Sequence, residues 1–212
     1  ISHLDLYPNI AILDGNLTLS LPMAISIITT LDALSHSFES IWNKNSNKES
    51  TKYAIEAITS IMENVDILKL NSSNLNVRNN LTKASTIAGL AFSNTTTAAA
   101  HSISYPLTIR FGIPHGVASS ISLVPLLEIN GKHIKESLEK ICHNLELTYD
   151  ELIRKIKAIP KGIIPYTLSE WGVARLDLPQ LVDESFTKGR MDNNLVDLEE
   201  SDVLNILNFI YE

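Results

Sequence analysis

From Pro22 to the end of the chain, apolar residues recur mostly at steps of three and four positions. Such spacing puts apolar side chains on one face of an α-helix, whereas a half-buried strand requires strict alternation. In the first segment the apolar positions are Ile27, Leu31, Leu34, Phe38 and Ile41. Ser20 and Pro22 suit the N-cap and the first turn of that helix. The pattern predicts an almost entirely α-helical fold without β-α-β alternation.

Polar breaks divide the rest of the chain into further predicted helices. We expect them over residues 50–70, 75–92, 115–127, 132–144, 148–158, 178–188 and 199–210. The small residues 95–100 either let two backbones approach closely or open another helix that carries His101 to Tyr105. Pro106 is expected to disturb that helix, and residues 111–114 are expected to form a loop.

Residues 1–20 differ from the rest of the chain. The run from Ile10 to Leu13 is short, apolar and β-prone, and Asp14 and Gly15 follow it as a turn signal. We therefore divide the chain into a lead-in, residues 1–20, which is extended or a strand, and a helical domain, residues 21–212.

The composition narrows the possible classes of function. The chain has 212 residues and a net charge of -7, without a basic tract, which argues against nucleic acid or a membrane surface as a partner. Its single cysteine, Cys142, excludes an internal disulfide and a cysteine-based zinc site and is typical of a reducing compartment such as the cytoplasm. No apolar run reaches the roughly 18 residues of a membrane span. An acidic enzyme or enzyme domain fits these features.

Four residues suggest a metal site. Asp32 and His36 are four positions apart in the first predicted helix, which places both on one face. His101 and His115 lie on either side of a predicted break, so two helix ends can converge on that face. Three imidazoles and a carboxylate suit Fe(II), Zn(II), Co(II) or Ni(II). An ion that keeps an open position acts as a Lewis acid on substrate oxygen.

A histidine on a helix is more often a cap or a core residue than a ligand, and spacing alone leaves that interpretation open for all four positions. The other histidines have no comparable setting. His3 lies in the lead-in, and His133 and His143 lie among charges on amphipathic helices. We expect no role for them in a metal site.

Two longer motifs contain the four residues. The run Leu31–Glu39 resembles the Asp-Ala-x-x-His-x-x-Glu signature of the iron-containing (group III) alcohol dehydrogenases. The run His101–Thr108, followed by Gly112–Gly116, resembles the second signature of that family. Shorter stretches are also similar, namely Ala11–Asp14, Leu21–Pro22, Gly162–Pro165 and Trp171–Val173. The resemblance covers essentially the whole chain.

The resemblance implies a ligand set, a fold and a reaction. The family binds its metal through one Asp and three His, and the matching residues are Asp32, His36, His101 and His115. The implied fold is a dehydroquinate-synthase-like helical domain. The implied cofactors are Fe2+, Zn2+ or another divalent transition metal, together with NAD or NADP. The implied reaction interconverts a small aldehyde and its alcohol, in a protein that is a homodimer when full length.

The family's nicotinamide cofactor is bound mainly by an N-terminal α/β domain with a Gly-Gly-Gly-Ser loop. This chain contains no such loop and begins with Ile1. The resemblance therefore implies a C-terminal half, truncated or proteolysed, which binds metal weakly and does not complete hydride transfer alone.

Tyr105 is a departure from the family pattern. Many members have a second histidine four residues after the third ligand, where this chain has Tyr105. The resemblance implies that a phenol takes part in proton transfer there, although its ordinary pKa near 10 makes it a poorer base than imidazole. Thr30 is a second departure, since glycine is common two residues before the ligand Asp.

A narrower similarity concerns the substrate. The surroundings of His36 and His101 resemble the phosphonoacetaldehyde reductase branch of the family, which implies reduction of phosphonoacetaldehyde to 2-hydroxyethylphosphonate. A dianionic substrate requires cations or helix N-termini. Arg110, between two ligands in the sequence, is the first candidate for substrate binding, followed by Lys44 and Arg190. For Lys44 and Arg190 a solvated surface role is the favoured interpretation.

Two alternatives remain. The chain could belong to a glycerol dehydrogenase or a dehydroquinate synthase-like enzyme of the same broad fold, although these typically use other ligand sets. It could also be a non-catalytic helical interaction module, in which His101 and His115 only contribute to packing.

Overall fold

The computed structural model describes residues 8–212, in which ten α-helices dominate. The helices are α1 (Met23–Ile41), α2 (Lys48–Leu70), α3 (Leu75–Ser93), α4 (Ala99–Phe111), α5 (His115–Ser120), α6 (Leu123–Asn130), α7 (Lys135–Leu145), α8 (Tyr149–Ala158), α9 (Leu178–Ser185) and α10 (Glu200–Phe209). The only β-type pairing in this part of the chain is an isolated antiparallel bridge between Asn43 and Asn194. The predicted all-α fold is confirmed. Within the same residues, every helix is too short or too polar to cross a membrane.

The described part of the lead-in, residues 8–20, is irregular apart from one 3-10 turn. This turn spans Gly15–Thr18 and is capped by Asp14, whose backbone is extended (φ -127°, ψ 107°). The β-prone run from Ile10 to Leu13 forms no strand in the described residues. Ile10 and Ile12 are largely exposed. Residues 1–7, which include His3, lie outside the described residues.

Capping side chains determine where several helices begin. At the start of α2, Asn47 Oδ1 accepts the backbone N–H groups of Glu49 and Ser50, and Ser50 Oγ accepts the N–H of Asn47. Thr148 and Glu151 cap α8 in the same reciprocal way. Such caps satisfy N–H groups that have no partner within the helix and stabilise it by about 1 kcal/mol each.

Helix α1 is the element around which the site is built. It contacts α2, α3 and α5, while α4 contacts α5 and α9. Its predicted apolar positions are buried, and Ile27, Leu31, Leu34 and Phe38 have no exposed surface. Burial of each such side chain stabilises the fold by about 1.5–3 kcal/mol. This packing fixes the rotation of α1 and therefore the direction in which its polar positions face.

The prediction of one helix over residues 115–127 is wrong. Helix α5 ends at Ser120 and α6 begins at Leu123. Pro125 supplies the reason, because it has no N–H to donate to the carbonyl of Ile121 and its ring crowds that carbonyl. The regular helix is therefore interrupted at Ile121 and Ser122.

Pro106 does not end α4, contrary to the expected disturbance. The helix continues through it to Phe111 and stops at Gly112, whose φ of 66° is left-handed. Proline removes one intrahelical hydrogen bond, whereas Ile103 and Leu107 on either side of it are completely buried. The buried packing outweighs the lost bond.

Candidate metal centre

Three acidic or imidazole side chains project from one side of α1. Asp32, His36 and Glu39 occupy positions i, i+4 and i+7, which lie one turn apart on the same face of a helix. Their exposure decreases along the helix, from 29% for the side chain of Asp32 to 17% for His36 and 0% for Glu39. A carboxylate buried to this extent requires a strong partner.

That partner is His101, in the first turn of α4. Nδ1 of His101 lies 2.6 Å from Oε2 of Glu39, and the backbone N–H of His101 donates to Oε1 at 3.1 Å. A carboxylate accepts hydrogen bonds, so Nδ1 carries a proton and Nε2 is the ring nitrogen that a metal could bind in place of a second proton. Nε2 faces Oδ1 of Asp32 at 3.7 Å.

His115 reaches the same carboxylate from the start of α5. Its Nε2 lies 3.5 Å from Oδ1 of Asp32. The neighbouring Gly116 makes this approach possible, because a Cβ atom there would lie 2.1 Å from the carbonyl oxygen of Ile28 in α1. The side chain of His115 is 47% exposed, so the cluster opens to its surroundings on this side.

His36 completes the cluster from α1. Its Nε2 lies 3.6 Å from Oδ2 of Asp32, and its ring stacks between Phe92 and His101, with centroid distances of 4.2 and 4.3 Å. The structure thus brings together all four predicted ligand residues. Possible ligand atoms of Asp32, His101 and His115 lie within 4.8 Å of one another.

The geometry of the cluster fits a divalent transition metal. With metal–nitrogen distances of about 2.0–2.1 Å, neighbouring ligand atoms of a tetrahedral site lie about 3.4 Å apart. The three imidazole-to-Asp32 distances are 3.5, 3.6 and 3.7 Å. They are long for hydrogen bonds but suit atoms that share an ion. Nε2 of His101 is buried without a hydrogen-bond partner, and buried polar atoms in native proteins nearly always have one.

The electrostatics of the cluster favour a cation. Burial lowers the pKa of His101, but the charge of Glu39 and the contacts with Asp32 and Glu39 outweigh it and raise the pKa to about 10. Burial raises the pKa of Asp32, yet His101 and His36 hold that pKa far below its ordinary value. The pKa of Glu39 is also lowered, because His101 outweighs the effect of burial. The carboxylates thus retain negative charge, and a divalent metal can replace a proton in neutralising it.

Hydroxyl groups orient Asp32 from the side of α5. Ser119 Oγ donates to Oδ1 of Asp32 at 2.9 Å, and Ser35 Oγ donates to the carbonyl of Ser119 at 2.7 Å. The sequence motifs predict no role for Ser35, Ser119 or Glu39. The position of Glu39, seven residues after Asp32, was a usable signal. No local pattern marks Ser119, because its contact depends on the way α5 packs against α1.

The other predicted site residues occupy different surroundings. Tyr105 lies one turn beyond His101 on α4, and its Oη accepts a hydrogen bond from Arg190 Nε at 3.3 Å. Arg110 lies 3.9 Å from Asp177 and 3.7 Å from Glu184. Lys44 Nζ lies 2.5 Å from Asp197 Oδ1 and donates to the carbonyl of Asp192.

The described residues form an all-α domain in which possible ligand atoms of Asp32, His101 and His115 lie close together, with His36 beside them. Residues 26–211 match the Fe-containing alcohol dehydrogenase family, C-terminal, and the chain belongs to this family. The resemblance drawn from the two motifs is therefore confirmed at the level of the family.

Individual relatives extend the comparison. The chain is 28% identical over 191 residues to an NADPH-dependent butanol dehydrogenase of Clostridium saccharobutylicum, covering 86% of this chain and 49% of that protein. It is 26% identical over 207 residues to a sulfoacetaldehyde reductase of Bilophila wadsworthia, covering 89% of this chain and 52% of that protein. The crystal structure of a sulfoacetaldehyde reductase from Bifidobacterium kashiwanohense in complex with NAD+ superposes with a TM-score of 0.86 at 26% identity. That match covers 96% of this chain and 55% of the other. The chain thus spans about half the length of these relatives.

Proposed function

We propose that the protein containing this chain is a metal-dependent, NAD(P)-linked alcohol dehydrogenase that acts as an aldehyde reductase. The observation that carries the proposal is the convergence of possible ligand atoms of Asp32, His101 and His115, among them the buried, unpartnered Nε2 of His101, with His36 Nε2 3.6 Å from Asp32. Membership of the Fe-containing alcohol dehydrogenase family supports the same reaction class. The proposed reaction converts an aldehyde, NAD(P)H and a proton into the alcohol and NAD(P)+.

The four ligands would hold Fe2+, Zn2+ or a similar ion, which as a Lewis acid polarises the carbonyl group of the substrate. The chain's own residues supply the rest of the environment. Glu39 fixes the tautomer of His101, and Ser119 fixes the orientation of Asp32. Tyr105 places a phenol one helical turn from His101, from which a proton can pass to the alcohol oxygen.

We propose that the nicotinamide cofactor is held mainly by a further domain of the same protein. The chain spans about half the length of its relatives, and the sequence lacks a Gly-rich phosphate loop. Ile12 and Leu17 in the lead-in are at least 80% exposed, which suits contact with additional protein.

We propose an aldehyde with an anionic end, of the phosphonoacetaldehyde type, as the substrate. The motifs around His36 and His101 support this choice, since they resemble the phosphonoacetaldehyde reductase branch. Two of the relatives are sulfoacetaldehyde reductases, which act on an aldehyde with a sulfonate group. Phosphonate and sulfonate are both tetrahedral oxyanions at the end of a short chain.

The test of the metal site is metal analysis of the purified protein after anaerobic loading with Fe2+ or Zn2+. We expect about one ion per chain, lost in Asp32→Asn and His101→Ala. His143→Ala, which removes a histidine of α7 outside the cluster, is the matched control and should retain the ion. Loaded protein should oxidise NADH or NADPH when an aldehyde is added.

A metal-free helical interaction module makes the opposite prediction. In that case His101→Ala changes only packing and thermal stability, and neither form binds metal. Equal metal content in wild-type protein and His101→Ala would therefore exclude the proposed site.

A further inference from the structure

The three cations that the sequence suggests for substrate binding, Arg110, Lys44 and Arg190, have different surroundings in the structure. Arg110 and Lys44 lie within ion-pair distance of carboxylates. The Arg190 side chain donates hydrogen bonds to Tyr105 Oη at 3.3 Å and to the carbonyl of Gly189 at 2.8 Å. Within residues 8–212, Arg190 is the one of these three cations that contacts a predicted site residue and that has no carboxylate within 4.0 Å.

Arg190 is held close to the helix that carries His101. Tyr105 follows His101 by four residues, a rise of about 6 Å along α4 and almost one full turn. Both side chains therefore lie on the same face of α4. Because Arg190 Nε contacts the phenol of Tyr105, the guanidinium is held against the residue that follows His101 by one turn of α4.

The loop that carries Arg190 is attached to α4 by several hydrogen bonds. Ser102, between His101 and Tyr105, accepts the N–H of Thr187 at 3.3 Å and donates to the carbonyl of Ser185 at 2.5 Å. Asn193 Nδ2 contacts Thr97 O and Gly189 O, each at 2.9 Å. A side chain held in this way loses little additional freedom when it binds a ligand.

The hydrogen-bonding groups of Arg190 and Tyr105 suit a tetrahedral oxyanion. Arg190 uses Nε and Nη1 in its recorded contacts, and a guanidinium has five N–H donors in a planar fork that binds oxyanions in a bidentate way. Tyr105 Oη accepts from Arg190, so its own O–H is free to donate in another direction. The nearby carboxylate of Asp192 accepts the backbone N–H of Gly189 at 3.1 Å.

We propose that Arg190, positioned by Tyr105, binds the phosphonate or sulfonate group of a short aldehyde whose carbonyl lies at the metal cluster. The inference rests on the proposed aldehyde reductase function and assigns its specificity to one residue. Arg190 is a substrate-binding residue in this scheme, and Arg110 is not required.

The experiment uses the metal-loaded protein that contains this chain and measures kcat/KM with a nicotinamide cofactor for three aldehydes. Phosphonoacetaldehyde and sulfoacetaldehyde carry the two candidate oxyanions, and propanal is the neutral comparison. In Arg190→Gln, the ratio of kcat/KM for the anionic aldehyde to that for propanal should fall by about 10- to 100-fold, as expected for loss of a charge-assisted contact. In Arg190→Lys this ratio should fall less, because lysine keeps the positive charge but lacks the planar fork of N–H donors.

Two further measurements complete the design. Methylphosphonate should inhibit propanal reduction competitively in wild-type protein, and Arg190→Gln should weaken that inhibition by a similar factor. Arg154→Gln, which changes an exposed arginine of α8, is the matched control and should leave the anionic-to-neutral ratio unchanged. Thermal unfolding of each variant verifies that the fold is retained.

The outcomes separate the inference from the proposed function. If wild-type protein reduces no aldehyde, the proposed function fails and the inference fails with it. If it reduces propanal as efficiently as both anionic aldehydes, the proposed anionic substrate and the inference are both overturned, and the aldehyde reductase activity stands. If the ratio falls in Arg110→Gln and not in Arg190→Gln, only the inference is overturned. In wild-type protein, the anionic aldehyde with the larger kcat/KM relative to propanal shows whether phosphonate or sulfonate is the preferred group.

Discussion

Glu39 controls the chemistry of His101 at the scale of a single residue. Both carboxylate oxygens of Glu39 accept hydrogen bonds from His101, one from the backbone and one from the ring. The ring bond assigns a proton to Nδ1, so Nε2, which faces Asp32, is the nitrogen that a metal could bind in place of the second proton. A carboxylate behind a metal-binding imidazole also makes that imidazole a better ligand.

We predict that Glu39→Gln weakens metal binding by about 10- to 100-fold. The amide group can donate to Nδ1 and so moves the imidazole proton to Nε2, which then cannot bind a metal. The measurement is a competition titration against a chelator of known affinity. Glu49→Gln, at an exposed position in the first turn of α2, is the control. Equal affinity in wild-type protein and Glu39→Gln would show that Glu39 does not act through His101.

At the scale of elements, the contact between α1 and α5 determines where His115 lies. Gly116 meets the carbonyl oxygen of Ile28 so closely that even a methyl group has no space. Close approach of two helices at a glycine brings their backbones together, and here it carries the first residue of α5 to Asp32. The motif that contains His115 therefore includes a glycine for a steric reason.

We predict that Gly116→Ala lowers the free energy of unfolding by about 1–3 kcal/mol, because the added Cβ forces α5 away from α1. Gly89→Ala is the matched control within α3, since a Cβ there meets nothing within 4 Å. That control should be neutral or stabilising by up to about 1 kcal/mol, in line with the helix propensities of the two residues. Denaturant unfolding measures both variants. Equal effects of the two substitutions would contradict the steric explanation.

At the scale of the whole molecule, the cluster joins three helices that are far apart in the sequence. Asp32 and His36 come from α1, His101 from α4 and His115 from α5. A ligand that binds the folded chain and not the unfolded one stabilises the fold by mass action. A metal held by all three helices therefore couples their packing.

We predict that a divalent metal at about 100 times its dissociation constant stabilises the protein by about 2.7 kcal/mol. Thermal unfolding with and without Zn2+ or Co2+ should show a higher Tm for the loaded protein. The increase should disappear in His101→Ala and persist in His143→Ala. An increase of the same size in both variants would place the stabilising ion elsewhere.

The extent of helix could be predicted from the sequence because it depends on local spacing and on caps. The helical spacing of apolar residues around Leu31 and Ile58 extends over only a few positions, and so does the cap at Thr148. The break at Ile121 also has a local cause, Pro125. The continuous apolar residues of the segment nevertheless favour the prediction of a single helix. The continuation of α4 through Pro106 was not predictable in this way, since it depends on how deeply Ile103 and Leu107 are buried.

By itself the sequence determined the helical fold, the family and the four candidate ligand residues, because motif spacing and helical periodicity depend on neighbouring positions. Only the tertiary structure decided which other side chains contact those residues and Tyr105. It placed Glu39 behind His101, Ser119 beside Asp32 and Arg190 against Tyr105. These contacts join residues separated by 62 to 87 positions, and they are formed by the packing of α1, α4, α5 and the loop after α9 rather than by any local pattern.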